Sequence, residues 1–228
     1  MSTAPPKALA APGSFLDEYI GMKVVMAVSG LILFGFVIGH LLGNLQVFLG
    51  PEVLNAYGEF LRQNPGLLWG TRFTVLVAVA THIWAAVRLT NARRAARPTP
   101  YKRWEAQDST YASRTMMISG PLLAVYIVYH LLHLTLGTVH PNFVEGNVYG
   151  NLVSGLSNPA VAAVYIVAMV MLGLHLRHGI WSMFQSIGIS HPVLTPRLKT
   201  LAALVAAAIV GGYISIPLAI FVGIIGLE

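Results

Sequence analysis

The 228-residue chain contains no cysteine, which excludes disulfide frameworks, thiolate metal sites, iron–sulfur ligation and cysteine nucleophiles. Charge is scarce as well: 10% of the residues are Asp, Glu, Lys or Arg, where soluble domains carry about 25%. With 56% hydrophobic residues, the composition is that of an integral membrane protein. Any redox centre must then be held by side chains other than cysteine. Eight histidines match eight carboxylates in number, and function is sought in those histidines. The net charge of +6 has no basic domain to carry it, so no nucleic-acid partner is expected, and the basic residues are read as markers of cytoplasmic span ends.

Crossing a hydrocarbon core of about 30 Å takes about 20 apolar residues at 1.5 Å each. Five runs of that length are bounded by charges, prolines or glycines: Met22 to Phe48, Trp69 to Leu89, Met116 to Leu136, Ala160 to Met183 and Leu198 to Ile225. The first follows a Pro/Ala-rich tail with Asp17 and Glu18 and is too long for a cleaved signal peptide, so it is read as a retained span. The expected fold is all-α, an integral bundle of five transmembrane helices over residues 22–228 with a segment 1–21 before it. The other connections are short enough for antiparallel hairpins. Trp69, Trp104 and Trp181 fall near span ends, as interfacial aromatics do.

Orientation follows from Lys and Arg. Arg93, Arg94, Arg97, Lys102 and Arg103 lie between spans two and three, with Arg88 and Arg114 at the margins, and Arg197 and Lys199 lie between spans four and five. The stretch from His140 to Pro159 has neither Lys nor Arg, and that from Gly50 to Leu68 has only Arg62. The amino terminus is therefore expected in the cytoplasm, and the protein in the cytoplasmic membrane as a multi-pass chain.

His40, His82, His130 and His175 fall one on each of the first four spans. Because the spans alternate in direction, His40 and His130 are expected at an outer level and His82 and His175 at an inner one, roughly 10 to 18 Å apart. Two histidines at one depth on different helices are the arrangement that bis-imidazole ligation of a haem iron requires. The separations of 42 residues (His40 to His82) and 45 (His130 to His175), with His-Leu-Leu at both His40 and His130, give the chain the look of two similar hairpins plus a fifth helix. The plainer readings are a helix–helix hydrogen bond or a proton relay. A relay or two-metal site would bring carboxylates into the spans, and the expected spans contain none.

His133 and His178 each lie three residues beyond a proposed ligand and compete with it for that role. His130 and His175 are preferred, and His178 is assigned a polar contact such as a haem propionate. His140 and His191 precede prolines in connections and are read as solvated or capping residues. Gly35, Gly39 and Gly43 form a stripe beside His40, expected to mark close helix packing, with a flat face for a porphyrin as the alternative. Arg88, Arg114 and Arg177 sit near inner span ends, where they either neutralise propionates or snorkel to lipid headgroups.

On these residues the sequence resembles the di-haem cytochrome b anchor of succinate:quinone oxidoreductases and fumarate reductases, in its single-subunit, five-helix form. The resemblance rests on the four histidines, on Ser119-Gly120 with His130 ten residues after the glycine, and on His175, Gly179, Trp181 and Ser182, which are similar to the His-x-x-x-Gly-x-Trp-Ser segment of the family. It implies two b haems, an inner one on His82 and His175 and an outer one on His40 and His130. It also implies a flavoprotein subunit and an iron–sulfur subunit docked on the cytoplasmic side, and possible assembly of the complex into a higher oligomer. The substrate it implies is a membrane quinone, expected to be menaquinone, while the dicarboxylate chemistry belongs to the flavoprotein. Family members often place an acidic residue near the outer haem for the quinone-linked proton; here Glu59 is the candidate, with Glu52 the loop alternative and Arg62, Asn64 and Trp69 nearby. Two other functions fit less of the pattern: a cytochrome b serving another membrane oxidoreductase such as a hydrogenase or formate dehydrogenase, and a transporter with histidine relays.

Overall fold

Inside lipid a backbone has no water to bond, so a lone apolar segment satisfies its amides only as a helix. The computed structural model describes residues 19–96, 111–189 and 191–227, and these are mostly helical with no strand among them. Five helical stretches are long and apolar enough to cross a membrane: Tyr19–Leu49, Pro65–Ala95, Tyr111–Thr135, Pro159–Ser186 and Leu194–Phe221. In chain order the elements are α1 (Tyr19–Asn44, continued by a 3-10 turn Leu45–Leu49), α2 (Pro51–Gln63), α3 (Pro65–Ala95), α4 (Tyr111–His130, continued by a π turn Leu131–Thr135), α5 (Val148–Leu156), α6 (Pro159–Ser186) and α7 (Leu194–Phe221). Asp17, Glu18, Arg97, Lys102, Arg103 and Trp104 lie outside the described residues.

The helices extend beyond the runs that hydropathy marks, because the ends lie where polar residues are tolerated. Helix α3 starts at Pro65, four residues before the expected Trp69, with proline in the first turn where its missing N–H costs nothing. Helix α7 starts at Leu194 and takes Pro196 into its first turn for the same reason. It stops at Phe221, short of the expected Ile225, where Gly223 at φ 77° turns the chain back and its N–H bonds Ile220 O.

The connections at one end of the bundle are not plain hairpin loops. Gly50 at φ 99° followed by Pro51 stops the first span and starts α2, and Asn147 caps α5 by accepting from Gly150 N at 2.9 Å. Asn55 ties the two together: its Oδ1 accepts from Tyr149 N at 2.9 Å and its amide donates to Asn147 Oδ1 at 3.3 Å. Beneath them Val47, Leu54, Leu152, Val153, Tyr165 and Ile216 form a filled core.

Helix α1 packs on α3, α4 on α6, and α6 on α7. A second core of Leu41, Leu176, Ile180, Ala202, Ala206 and Ile209 joins α1, α6 and α7. The buried residues of α3 and α4 are all small: Ala78 and Ala85 on one, Ala112 and Ser119 on the other. Side chains therefore fill the α2/α5 end and the α7 side, while the space beside α3 and α4 is not closed by large residues.

Gly155 of α5 faces two histidine rings so closely that a Cβ there would lie 2.8 Å from His133 Cε1 and 2.9 Å from His140 Nε2. Both rings are buried, so Gly155→Ala is expected to destabilise the protein by the roughly 1 to 3 kcal/mol that over-packing costs. Thermal unfolding in detergent should show a lowered Tm, while Gly211→Ala, where a Cβ meets nothing within 4 Å, should leave it unchanged.

Candidate functional site

The four spans bring the histidines together in two pairs. The rings of His40 (α1) and His130 (α4) lie edge to face with centroids 5.9 Å apart, and those of His82 (α3) and His175 (α6) are tilted with centroids 6.1 Å apart. Taking roughly 2 Å for an imidazole–metal bond, two imidazoles on opposite sides of one ion have ring centres about 6 Å apart. Both pairs fit that spacing. All four rings are half-buried, each with part of its surface left uncovered by protein.

The two pairs lie at different levels, and the glycines show by how much. Gly30 of α1 faces His82, a Cβ there being 3.4 Å from its Cε1, and Gly120 of α4 faces His175 at 4.0 Å. His40 and His130 each follow their glycine by ten residues, which is about 15 Å along a helix. This arrangement repeats in the two halves, since Ser29 precedes Gly30 as Ser119 precedes Gly120.

The serines hold the histidines of the partner span. Ser29 Oγ donates to Val25 O at 2.8 Å, with Met26 O at 3.2 Å, and lies 3.1 Å from His82 Nδ1. A hydroxyl has one proton, so with that proton on the α1 backbone, Oγ accepts from His82 Nδ1–H. The other nitrogen, Nε2, is then bare and able to bind a metal. Ser119 Oγ lies 3.3 Å from His175 Nδ1, the corresponding contact in the second half of the chain. In the other pair Phe36 stacks on His40 at 5.3 Å, and the Tyr165 hydroxyl lies 3.4 Å from His130 Nδ1.

The donor set suits a haem: two neighbouring imidazoles per level and no carboxylate in the described spans. The only buried side-chain nitrogens or oxygens without a partner among the described residues are His178 Nδ1 and Trp181 Nε1, neighbours on α6 whose rings meet edge to face at 6.5 Å. Lys199 Nζ lies over the Trp181 ring at 4.6 Å. Two buried nitrogens, one and nearly two turns beyond His175 and with a cation over the Trp181 ring, call for an acidic acceptor such as a propionate. Trp181 is thus turned into the protein at its nitrogen, unlike the interfacial residue expected, whereas Trp69 is 63% exposed as such a residue should be.

Several other positions differ from expectation. His140 is buried: its Nδ1 accepts from Asn142 N at 3.1 Å and its Nε2 donates to Asn151 O at 2.9 Å. His191 is an exposed capping residue, accepting at Nδ1 from Val193 N. The glycine stripe is divided. Gly43 packs against the Tyr57 ring, whereas a Cβ at Gly35 or Gly39 would meet nothing within 4 Å, so those two do not mediate helix packing. Arg88, Arg114 and Arg177 are exposed on their helices. Glu59, on α2, is half-exposed and accepts from Arg62 at 2.7 and 3.0 Å and from Gln63 at 3.1 Å. The Arg62 hydrogen bonds, aided by Gln63 and the Arg62 charge, hold its carboxyl below the usual range.

Sequence reasoning missed Tyr165 and Ser29. Ser29 had a signal, the repetition of Ser-Gly ten residues before a histidine; Tyr165 had none, since only the packing of α4 on α6 brings it to His130.

Residues 90–214 match the family model described as the succinate dehydrogenase/fumarate reductase transmembrane subunit. The match takes in Ser119, His130, Tyr165, His175, His178 and Trp181, while His40 and His82 precede it. Comparison with curated proteins and with solved structures gives no match. Since the family model covers more than half of a chain that already has five membrane-crossing helices, the protein belongs to the succinate dehydrogenase/fumarate reductase transmembrane subunit family.

Proposed function

We propose that this chain is the di-haem cytochrome b anchor of its complex, joining an iron–sulfur subunit to a membrane quinone. The observation that carries the reading is the pair of facing imidazoles at each of two levels, 5.9 and 6.1 Å between ring centres. Bound between such rings, a haem supplies reversible one-electron storage inside the membrane. The residues of this chain hold and orient it. His82 and His175 ligate at one level, with Ser29 and Ser119 fixing their rings, and His40 and His130 ligate at the other. His178 and Trp181 supply donors for a propionate near His175, and Arg88, Arg114 and Arg177 supply positive charge at the same end of the bundle.

That end also carries Lys23, Arg93, Arg94, Arg197 and Lys199, against Arg62 and Arg72 at the α2/α5 end. The imbalance supports a cytoplasmic amino terminus, with the flavoprotein and iron–sulfur subunits docked on the basic face. Quinone chemistry is placed at the opposite end, near the His40–His130 level, where α2 offers Glu59. A reduced-minus-oxidised spectrum with a pyridine haemochrome count on the purified chain is expected to give two b haems per chain. One haem or none would overturn the di-haem reading.

A further inference from the structure

The ring of His133, three residues beyond His130, is enclosed by protein, 1% exposed. It is sandwiched between Tyr129, stacked at 5.4 Å, and His140, stacked at 4.8 Å, with the Gly155 backbone against its Cε1 and Nε2. No flat cofactor can reach its Nε2 through that enclosure. Its Nδ1 lies 2.9 Å from the Tyr165 hydroxyl, which is also 3.4 Å from His130 Nδ1. The π turn at Leu131–Thr135 makes this sharing feasible, since it widens the backbone between two histidines three residues apart. Tyr165 therefore stands between two imidazole nitrogens with one proton to give.

We propose that Tyr165 is the positioning residue of the His40–His130 pair: its hydroxyl accepts the His130 Nδ1 proton and donates its own to His133 Nδ1, which leaves His130 Nε2 bare toward His40. The opposite assignment would put the proton of Tyr165 on His130 Nδ1 and cap Nε2 with hydrogen, closing the ligand position. His133 is thus the acceptor that keeps His130 in its ligating tautomer. His140 cannot displace it, because both of its nitrogens are held by the backbone of Asn142 and Asn151. Donating onward makes the Tyr165 oxygen a stronger acceptor, and the polarised Nδ1–H makes His130 a more basic ligand, which favours ferric over ferrous iron. The two levels then differ in kind: serine hydroxyls back His82 and His175, and a tyrosine backed by a histidine holds His130.

The inference rests on the di-haem reading, and potentiometric titration of the whole purified chain separates the two. The titrating component that disappears in His40→Leu identifies the haem of this pair. Tyr165→Phe should retain two haems and raise the potential of that component while leaving the other in place. His133→Leu, which removes the onward acceptor, should shift it in the same direction by less. His133→Gln, whose amide oxygen can accept, should restore the wild-type value. Unchanged potentials in Tyr165→Phe at two haems per chain would overturn the proposal, and so would a shift confined to the His82–His175 component. If Tyr165→Phe fails to assemble, the His133 variants decide: Leu shifted and Gln restored supports the proposal, and identical behaviour of the two sinks it. Fewer than two haems in the unaltered chain would instead defeat the di-haem reading.

Discussion

Replacing His82 or His175 with leucine is expected to leave one b haem per chain, and replacing His40 or His130 to leave the other. Each level has two imidazoles and no third that can reach it. His133 is enclosed between Tyr129 and His140, and the His178 ring meets Trp181 edge to face, while His82 has the His175 ring as its neighbour. The loss should be selective by level, because the pairs are separated by about 15 Å and are held by different residues. The haemochrome count should fall from two to one in each of the four variants, and redox titration should show that His82→Leu and His175→Leu lose the same component. Loss of a haem in His133→Leu, with both retained in His130→Leu, would move the ligand by one turn and contradict the pairing drawn from the ring distances.

That pairing was legible in the sequence because two independent signals meet in it. The Lys and Arg distribution sets the direction of each span, and the place of each histidine within its span then sets its depth. What sequence could not supply is contact between spans. The Ser29–His82 and Ser119–His175 bonds cross 53 and 56 residues, and Tyr165 reaches His130 only because α4 packs on α6. Helices α2 and α5 were missed for a different reason. They are short and carry polar residues such as Asn55, Glu59 and Asn151, so a search for apolar runs passes over them. Their boundaries were nonetheless written locally, in Gly50-Pro51, Asn64-Pro65 and Asn158-Pro159. His140 lies in a connection as expected but is buried rather than solvated, because the loop itself is packed, with the Asn151 side chain bonding both the N–H and the C=O of Val144.

The repeat of Ser29-Gly30 with His40 and Ser119-Gly120 with His130 gives the two halves one physical logic. On each odd span a hydroxyl orients the histidine of the following span, the neighbouring glycine leaves room for that ring, and a histidine ten residues on serves the other level. A serine at this place is economical because its hydroxyl bonds the helix backbone, as Ser29 does to Val25 O, while the oxygen remains an acceptor. The divergence lies at the α2/α5 end, where His130 alone has a tyrosine and a second histidine behind it.

Glu59→Gln is expected to retain both haems and dye-linked succinate oxidation in the assembled complex and to lose quinone reduction. Reducing a quinone to a quinol takes two electrons and two protons, so the site must adjoin both a haem and a titratable group in contact with water. The described spans hold no carboxylate, and α2 brings Glu59 to the end of the bundle nearest the His40–His130 pair. The Arg62 hydrogen bonds favour the ionised carboxylate, the form that can accept a proton. The amide keeps the shape and the hydrogen bond to Gln63 but cannot exchange that proton. Its ion pair with Arg62 is exposed, so breaking it should leave the fold intact. Glu52, exposed in the first turn of the same helix, is the control, and Glu52→Gln should keep quinone activity. Full quinone reduction by Glu59→Gln would remove Glu59 from the proton path, and an inhibitor seated at the His82–His175 level would move the quinone site to the other end of the bundle.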